Sequence, residues 1–335
     1  MMNYLLFLFS FLVVFLFIHY ITKNSLKKSK SWQKERIEEL NSRSQVIETS
    51  LGPIECTLEG SGPCVLAIHG GFGGFNQGLI ITKNIISQGF KVISPSRPGY
   101  LRTPLKVGET PSEQADALAA LLDALEIRQV AVLGFSAGFP IALEFALRHS
   151  NRTTSVILES LGARPGKLVE MIVHPIFKMK EFVDHASWLF YRLLMRHSLF
   201  TIKLLLSSDS FLPHSKLDMR KKYVLSHLSQ FEFLKELALS STPLSVRSTG
   251  LMNDIKNLNN WQDCPYSTIP IPTLIIESRS DISYSEAVQI SKQLPQAQLL
   301  TVEESGHFIW CGENTAEWEG ELIDFLKKHH PSYCE

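Results

Sequence analysis

Ser136, Asp281 and His307 are the residues of this chain whose types and order suit nucleophilic catalysis. A serine hydroxyl attacks poorly until a base takes its proton, and a histidine base needs a carboxylate to hold its tautomer and steady its charged form. Ser136 lies in Gly134-Phe135-Ser136-Ala137-Gly138, a G-x-S-x-G pattern. A nucleophile gains from that spacing because side chains at the flanking positions would clash on a tight strand-to-helix turn, and the turn pushes the hydroxyl outward. The N–H groups at the start of the following helix then face the anion that forms. Average Gly and Ser usage produces the bare pattern in roughly one chain in ten of this length, so its context carries the weight. Here it falls between an apolar run, 129–133, and an amphipathic segment that opens with Pro140.

His307 sits in Glu304-Ser305-Gly306-His307-Phe308, just after the last apolar run, where a loop returns to the edge of the sheet that carries Ser136. Asp281 ends Glu277-Ser278-Arg279-Ser280-Asp281, five residues beyond Ile276, and the chain order Ser, Asp, His suits a triad. Glu159, at the end of the run after the nucleophile helix, is the reserve acid. An oxyanion hole needs two backbone donors, one of them the residue after the nucleophile, Ala137. The other is expected from His69-Gly70-Gly71-Phe72-Gly73-Gly74, with Gly71 and Phe72 the candidates. That loop lacks G-x-G-x-x-G and a P-loop lysine, which disfavours nucleotide binding.

The elements that must carry these residues read as an α/β fold. Apolar runs at 64–68, 90–93, 129–133, 155–158, 273–276 and 298–302 are expected strands, each bounded by turn residues. Between the second and third, 112–125 is strongly helical, with Ser112 as its expected cap. Strands alternating with helices predict a doubly wound, mostly parallel sheet. The alternation breaks between 161 and 250, where helical windows follow one another; an insertion of that size is expected to be a cap over the ligand-binding edge. Its histidines lack the i, i+4 pairing of a zinc helix, so no metal site is read there. The expected core is 45–160 with 251–331.

Residues 4–21 form an almost unbroken apolar run of bilayer-spanning length, with no basic leader and no small-residue cleavage site. The expectation is a transmembrane anchor over 1–22 and a juxtamembrane tether over 23–44. The lysines after the run place the catalytic body on the cytoplasmic side. Composition adds exclusions. Lys and Arg together number 33, as do Asp and Glu, so no net charge points to nucleic acid. Five scattered cysteines without a CxxC pair encode neither a disulfide framework nor a zinc knuckle.

The HGGFGG loop, the GFSAG elbow, the late Asp281 and the Gly306-His307 pair resemble the α/β-hydrolase superfamily, over roughly 44–331. Ser96-Arg97-Pro98-Gly99-Tyr100 resembles the family's turn after the second parallel strand, although Leu101 stands where a second glycine is common and Ser278 where glycine often precedes the acid. The resemblance implies acyl transfer through a covalent intermediate on Ser136, with His307 as base, Asp281 as its partner and no metal or organic cofactor. A small hydrophobic ester is the expected substrate class. The same fold also serves C–C bond hydrolases, cofactor-free peroxidases and aminopeptidases, and a ligand-binding protein without turnover is the remaining alternative.

Overall fold

Aliphatic runs bounded by glycine and proline form the centre of the molecule. The computed structural model describes residues 25–261 and 265–330. After helix α1 (Ser25–Ser42), strands β1 (Gln45–Thr49), β2 (Gly52–Glu59) and β3 (Cys64–Ile68) lead to helices α2 (Phe75–Ile81) and α3 (Lys83–Ser87), then β4 (Lys91–Pro95) and α4 (Pro111–Ala124). The chain continues through β5 (Val130–Ser136), α5 (Phe139–Arg148) and β6 (Thr153–Leu161). Five helices follow without a strand: α6 (Lys167–Lys178), α7 (Lys180–Arg196), α8 (Ser198–Ser208), α9 (His214–Ser226) and α10 (Leu228–Ser240). The last part is α11 (Ser248–Asn260), β7 (Thr273–Ser278), α12 (Tyr284–Gln293), β8 (Ala297–Val302) and α13 (Thr315–Lys328).

The strands make one eight-stranded sheet in the order β1-β2-β4-β3-β5-β6-β7-β8. The β1–β2 and β2–β4 pairs are antiparallel and the rest parallel. Each of the six expected strands is present. The two antiparallel ones are additional, because β1 is half exposed and lacks a continuous apolar run. Strand order reverses between β3 and β5, which lie side by side with Ile68 opposite Gly134. Such a reversal opens a crevice at the carboxyl ends of the strands. The loop from His69 and the turn at Ser136 therefore emerge next to each other.

Alternation along the strands divides the core. Leu66, Ile68, Val130 and Val132 join the side chains of α4, α5 and α12 on one face. Val65, Ala67, Ala131 and Leu133 join α2, α3 and α13 on the other, together with Leu194, Ile202, Leu206, Val224 and Leu234 from the helical segment. Each valine, leucine or isoleucine among them, fully buried, contributes roughly 1.5–3 kcal/mol.

Two expectations change. Helix α4 is capped by Thr110 rather than Ser112: the Glu113 N–H donates to Thr110 Oγ1 at 3.2 Å and the Thr110 N–H donates to Glu113 Oε2 at 2.9 Å. Pro111 then occupies the first helical position, where its missing N–H costs nothing. The second correction concerns location. No helix among the described residues is long and apolar enough to cross a membrane. The run at 4–21, and with it the expected anchor at 1–22, lies outside the described residues. The membrane location and its cytoplasmic orientation are therefore withdrawn. Within the expected tether the chain forms a docked helix: α1 buries Leu40, sets Trp32 5.1 Å from Tyr191 of α7, and bonds Gln33 to Ser245 at 2.9 Å.

Thr110→Ala removes one half of the reciprocal cap and is expected to lower stability by about 1 kcal/mol, read as a shift of the urea midpoint at unchanged slope.

Candidate active site

The turn after β5 is shaped by lack of room. Ser136 has φ +48°, a left-handed conformation that costs a non-glycine residue energy and persists only where packing enforces it. A Cβ at Gly134 would stand 2.7 Å from that of Ala142, and one at Gly138 would stand 2.6 Å from the Ile68 carbonyl oxygen. Both positions thus require glycine. Strand pairing with β6 shifts register between Phe135 and Ser136, so the serine pairs with Leu161 one residue out of step with the rest of the ladder. Helix α5 begins immediately beyond, with Pro140 in its first turn.

His307 Nε2 lies 3.0 Å from Ser136 Oγ, and His307 Nδ1 lies 2.7 Å from Asp281 Oδ2. The three side chains form one hydrogen-bonded line across residues 171 and 26 positions apart. Asp281 is nearly buried, and its second oxygen accepts the Ser283 N–H at 3.3 Å. Burial pushes its pKa up, but the charge and hydrogen bond of His307 and the Ser283 N–H outweigh it and hold Asp281 below the usual carboxylate value. Burial likewise pulls the imidazole of His307 down, while Asp281, then Glu277 and Asp209, push it up to about 9. A quarter of the His307 side chain remains open to solvent.

Glu159, the reserve acid, lies elsewhere in the network. It pairs across the sheet with Phe135 and Ile276 and interacts with Trp310 and Glu319. Complete burial and the Glu319 charge raise its pKa to about 8, so it is a neutral carboxyl at pH 7. Glu277 was not singled out by sequence reasoning. Buried at the end of β7, it accepts the Leu161 N–H at 2.7 Å and the Ser278 N–H at 3.2 Å. Because Leu161 pairs with Ser136, Glu277 ties the nucleophile's neighbour strand to the segment that leads to Asp281. Its signal was a charged residue closing an apolar run.

The Gly-rich loop after β3 is fixed from behind. The Arg97 N–H donates to His69 Nε2 at 3.0 Å, which leaves Nδ1 to donate to the Gly70 carbonyl at 2.7 Å. Burial, then the nearby Arg97 charge, keeps His69 well below its ordinary pKa, hence neutral. The Gln77 side chain accepts the Gly70 N–H at 2.9 Å. Arg97 donates to the carbonyls of His69 and Gly70 and forms a two-pronged pair with Asp254, which the Tyr100 hydroxyl also joins. Asp254 lies 157 positions from Arg97, and no local pattern marks it. Leu101, where the family commonly has a second glycine, keeps the glycine-like backbone at φ +49°. A Cβ at Gly162 would stand 2.9 Å from the Ala137 nitrogen, so glycine there keeps the chain beyond β6 clear of that N–H.

Among the described residues, no three His, Cys, Asp or Glu side chains converge as a metal site. A serine hydrogen-bonded to a histidine that a buried aspartate holds, beside two crowded glycine-rich turns, is an arrangement with the chemistry to attack a carbonyl and shelter the resulting anion.

Comparison with known proteins gives the same frame. The family model described as "alpha/beta hydrolase fold" matches residues 63–310. The chain belongs to that family. It is a hydrolase of this fold, and an uncharacterized hydrolase of Bacillus subtilis, YcgS, is 27% identical to it over 300 residues, covering 85% of this chain and 99% of the relative. A 2-hydroxy-6-oxo-6-phenylhexa-2,4-dienoate hydrolase of Burkholderia cepacia is 26% identical over 268 residues, covering 78% of this chain and 84% of the relative. An alpha/beta hydrolase fold protein from Nakamurella multipartita superposes with a TM-score of 0.72 at 24% identity, covering 84% of this chain and 98% of its own.

Glu159→Gln tests the neutral carboxyl. A carboxyl with a raised folded pKa keeps its proton in the native state while the unfolded chain loses it, so wild-type stability declines as pH rises from 4.5 toward 8. The glutamine variant has no such loss and is expected to gain on wild type across that window, by no more than about 1.4 kcal/mol per pH unit. Parallel denaturant titrations at several pH values measure the difference; parallel stability curves would refute it.

Proposed function

We propose that this hydrolase cleaves an ester or related acyl bond of a small hydrophobic substrate through an acyl-enzyme on Ser136. The observation that carries this reading is the unbroken line from Ser136 Oγ through His307 to Asp281. His307 takes the serine proton as Ser136 Oγ attacks the carbonyl carbon. The oxyanion rests against the N–H groups of Ala137 and of Gly71 or Phe72. His307 then gives its proton to the leaving alcohol, and the acyl-enzyme forms. In the second half His307 deprotonates water, which attacks the acyl carbon; collapse releases the acid and returns the proton to Ser136. Asp281 stays ionised throughout and stabilises the imidazolium. Helices in the segment 161–250 serve as the cap. Apolar surroundings support the substrate class: Phe72 is exposed within the Gly-rich loop, and Leu251 of α11 stands against Gly71.

A second reading has a specific observation behind it. The Burkholderia cepacia relative is named for a substrate with a ketone, not an ester, and hydrolysis of a C–C bond beside a ketone calls on the same base and oxyanion donors. The two readings divide on substrate. A chain-length series of p-nitrophenyl esters is expected to turn over with kcat/KM rising with acyl length; inert esters alongside hydrolysis of a vinylogous 1,5-diketone acid would favour the second. A non-enzymatic ligand-binding role predicts neither, nor labelling by a fluorophosphonate. Labelling of wild type and its loss in Ser136→Ala is the expected result, and equal labelling of both proteins would sink the serine-nucleophile mechanism.

The rate of fluorophosphonate labelling also reports the base. Protonated His307 cannot accept the serine proton, so labelling is expected to fall as pH drops, with a midpoint above the ordinary imidazole value of 6.5. Asp281→Asn removes the charge that favours the imidazolium: the midpoint moves down, and the plateau rate drops by roughly 10³–10⁴-fold. An unchanged midpoint would show that Asp281 is not the partner of His307.

A further inference from the structure

The loops that carry His307 and Asp281 are both anchored to one short piece of the helical segment. Between α8 and α9, the Asp209 carbonyl accepts the His307 N–H at 2.8 Å, and the Asp209 carboxylate accepts the Phe308 N–H at 3.1 Å. Two residues on, the Phe211 N–H donates to the Ser280 carbonyl at 3.0 Å, beside Asp281. Arg220, on α9, fixes this piece from the other side: its guanidinium meets both Asp209 oxygens, at 2.8 and 2.9 Å, and donates to the carbonyls of Phe308 and Cys311, each at 2.9 Å. Both members of the pair are buried, 2% and 3% exposed. Gly306 completes the fit, since a Cβ there would stand 2.6 Å from the Asp209 carbonyl oxygen and 2.9 Å from Arg220 Nη1.

We propose that Asp209 and Arg220 are positioning residues: together they set the distance between the loop of the base and the loop of the acid, so that the helical segment governs how His307 lines up with Ser136 and Asp281. The proposal rests on the reading of those three as nucleophile, base and acid. Geometry this specific has a kinetic reason. A reacting hydrogen bond tolerates little displacement, and a 1 Å error can cost about 10²-fold in rate. Fixing His307 by its own backbone N–H and by that of its neighbour leaves the loop little freedom to drift. Two-pronged arginine–carboxylate pairs also resist rotation better than a lysine pair does. The groups that face His307 are Asp281 and Glu277 from the β7 side, the latter with its pKa pushed up to about 8 by burial and by the Asp281 charge, and Asp209, paired with Arg220, from the helical side; Lys216 and Glu304 form an outer pair across the same seam, at 2.9 Å. Removing the Asp209 charge lowers the pKa of His307, because that charge favours the imidazolium and the remaining Arg220 opposes it.

The experiment compares full-length wild type with Asp209→Asn and Arg220→Lys. Fluorophosphonate labelling of wild type comes first: its absence would end the serine-hydrolase reading itself. Given labelling, Asp209→Asn is expected to lower kcat on a p-nitrophenyl ester by at least ~10-fold with KM within about twofold. Its labelling midpoint moves to lower pH. Arg220→Lys, which keeps the charge and loses the fork, loses kcat with a smaller change of midpoint. A variant that is merely less stable, with kcat per folded molecule and midpoint as in wild type, would overturn the positioning role. If neither variant folds, amide exchange on wild type decides: slow exchange at His307 and Phe308, matching α9, is expected, and fast exchange there while α9 stays protected overturns the proposal.

Discussion

Gly138 stands where a Cβ would lie 2.6 Å from the carbonyl oxygen of Ile68 and 2.8 Å from that of His69. This crowding joins the turn that carries Ser136 to the start of the oxyanion loop on the neighbouring strand. Two polypeptide segments can come this close only where one has no side chain. Parallel pairing of β3 with β5 brings the segments together, and the crowded turn then forces Ser136 to φ +48°. The strain is held by the sheet beneath and the helix beyond, both deep in the core. The remaining site residues are arranged around this point: Gly162 clears the nucleophile's N–H neighbour, and Glu277 reaches across to Leu161, opposite the serine.

Around that turn, similar carboxyls have different states because their surroundings differ. Asp281 receives a hydrogen bond from His307 and another from the Ser283 N–H, and stays ionised although it is buried. Glu159 has a neighbouring Glu319 charge and an apolar wall, and keeps its proton to about pH 8. Burial alone raises a carboxyl; an opposing charge reverses it. The acid suited to stabilising an imidazolium is the one whose environment already keeps it negative.

A second buried framework holds the oxyanion loop. Arg97 links His69 and Gly70 to Asp254 and Tyr100, so residues that follow the neighbouring strands β3 and β4 meet one from α11 behind Gly71. Each charge in it has a partner, which is the condition for such a network to be tolerated in a core. Leu101 illustrates the cost of departing from glycine: it adopts φ +49°, and its Cδ1 takes the space that a Cβ at Gly74 would need, 2.6 Å away.

Local sequence was enough for what is local. A G-x-S-x-G between an apolar run and a Pro-started helix specifies a turn, because steric clash acts over a few residues; six strands were legible for the same reason, as continuous aliphatic runs. Chain order made Asp281 and His307 candidates beside Ser136. Folding in three dimensions decided which groups meet. Only the sheet order sets Asp281 rather than Glu159 at 2.7 Å from His307, and only packing brings Asp254 to Arg97 or Asp209 to the His307 loop. Those contacts join residues dozens to more than a hundred positions apart, where no spacing rule links the partners. Hydrogen bonds and Coulomb forces act through distance in space, so the sequence marked Ser136 as the candidate nucleophile, and the tertiary structure determined the company it keeps.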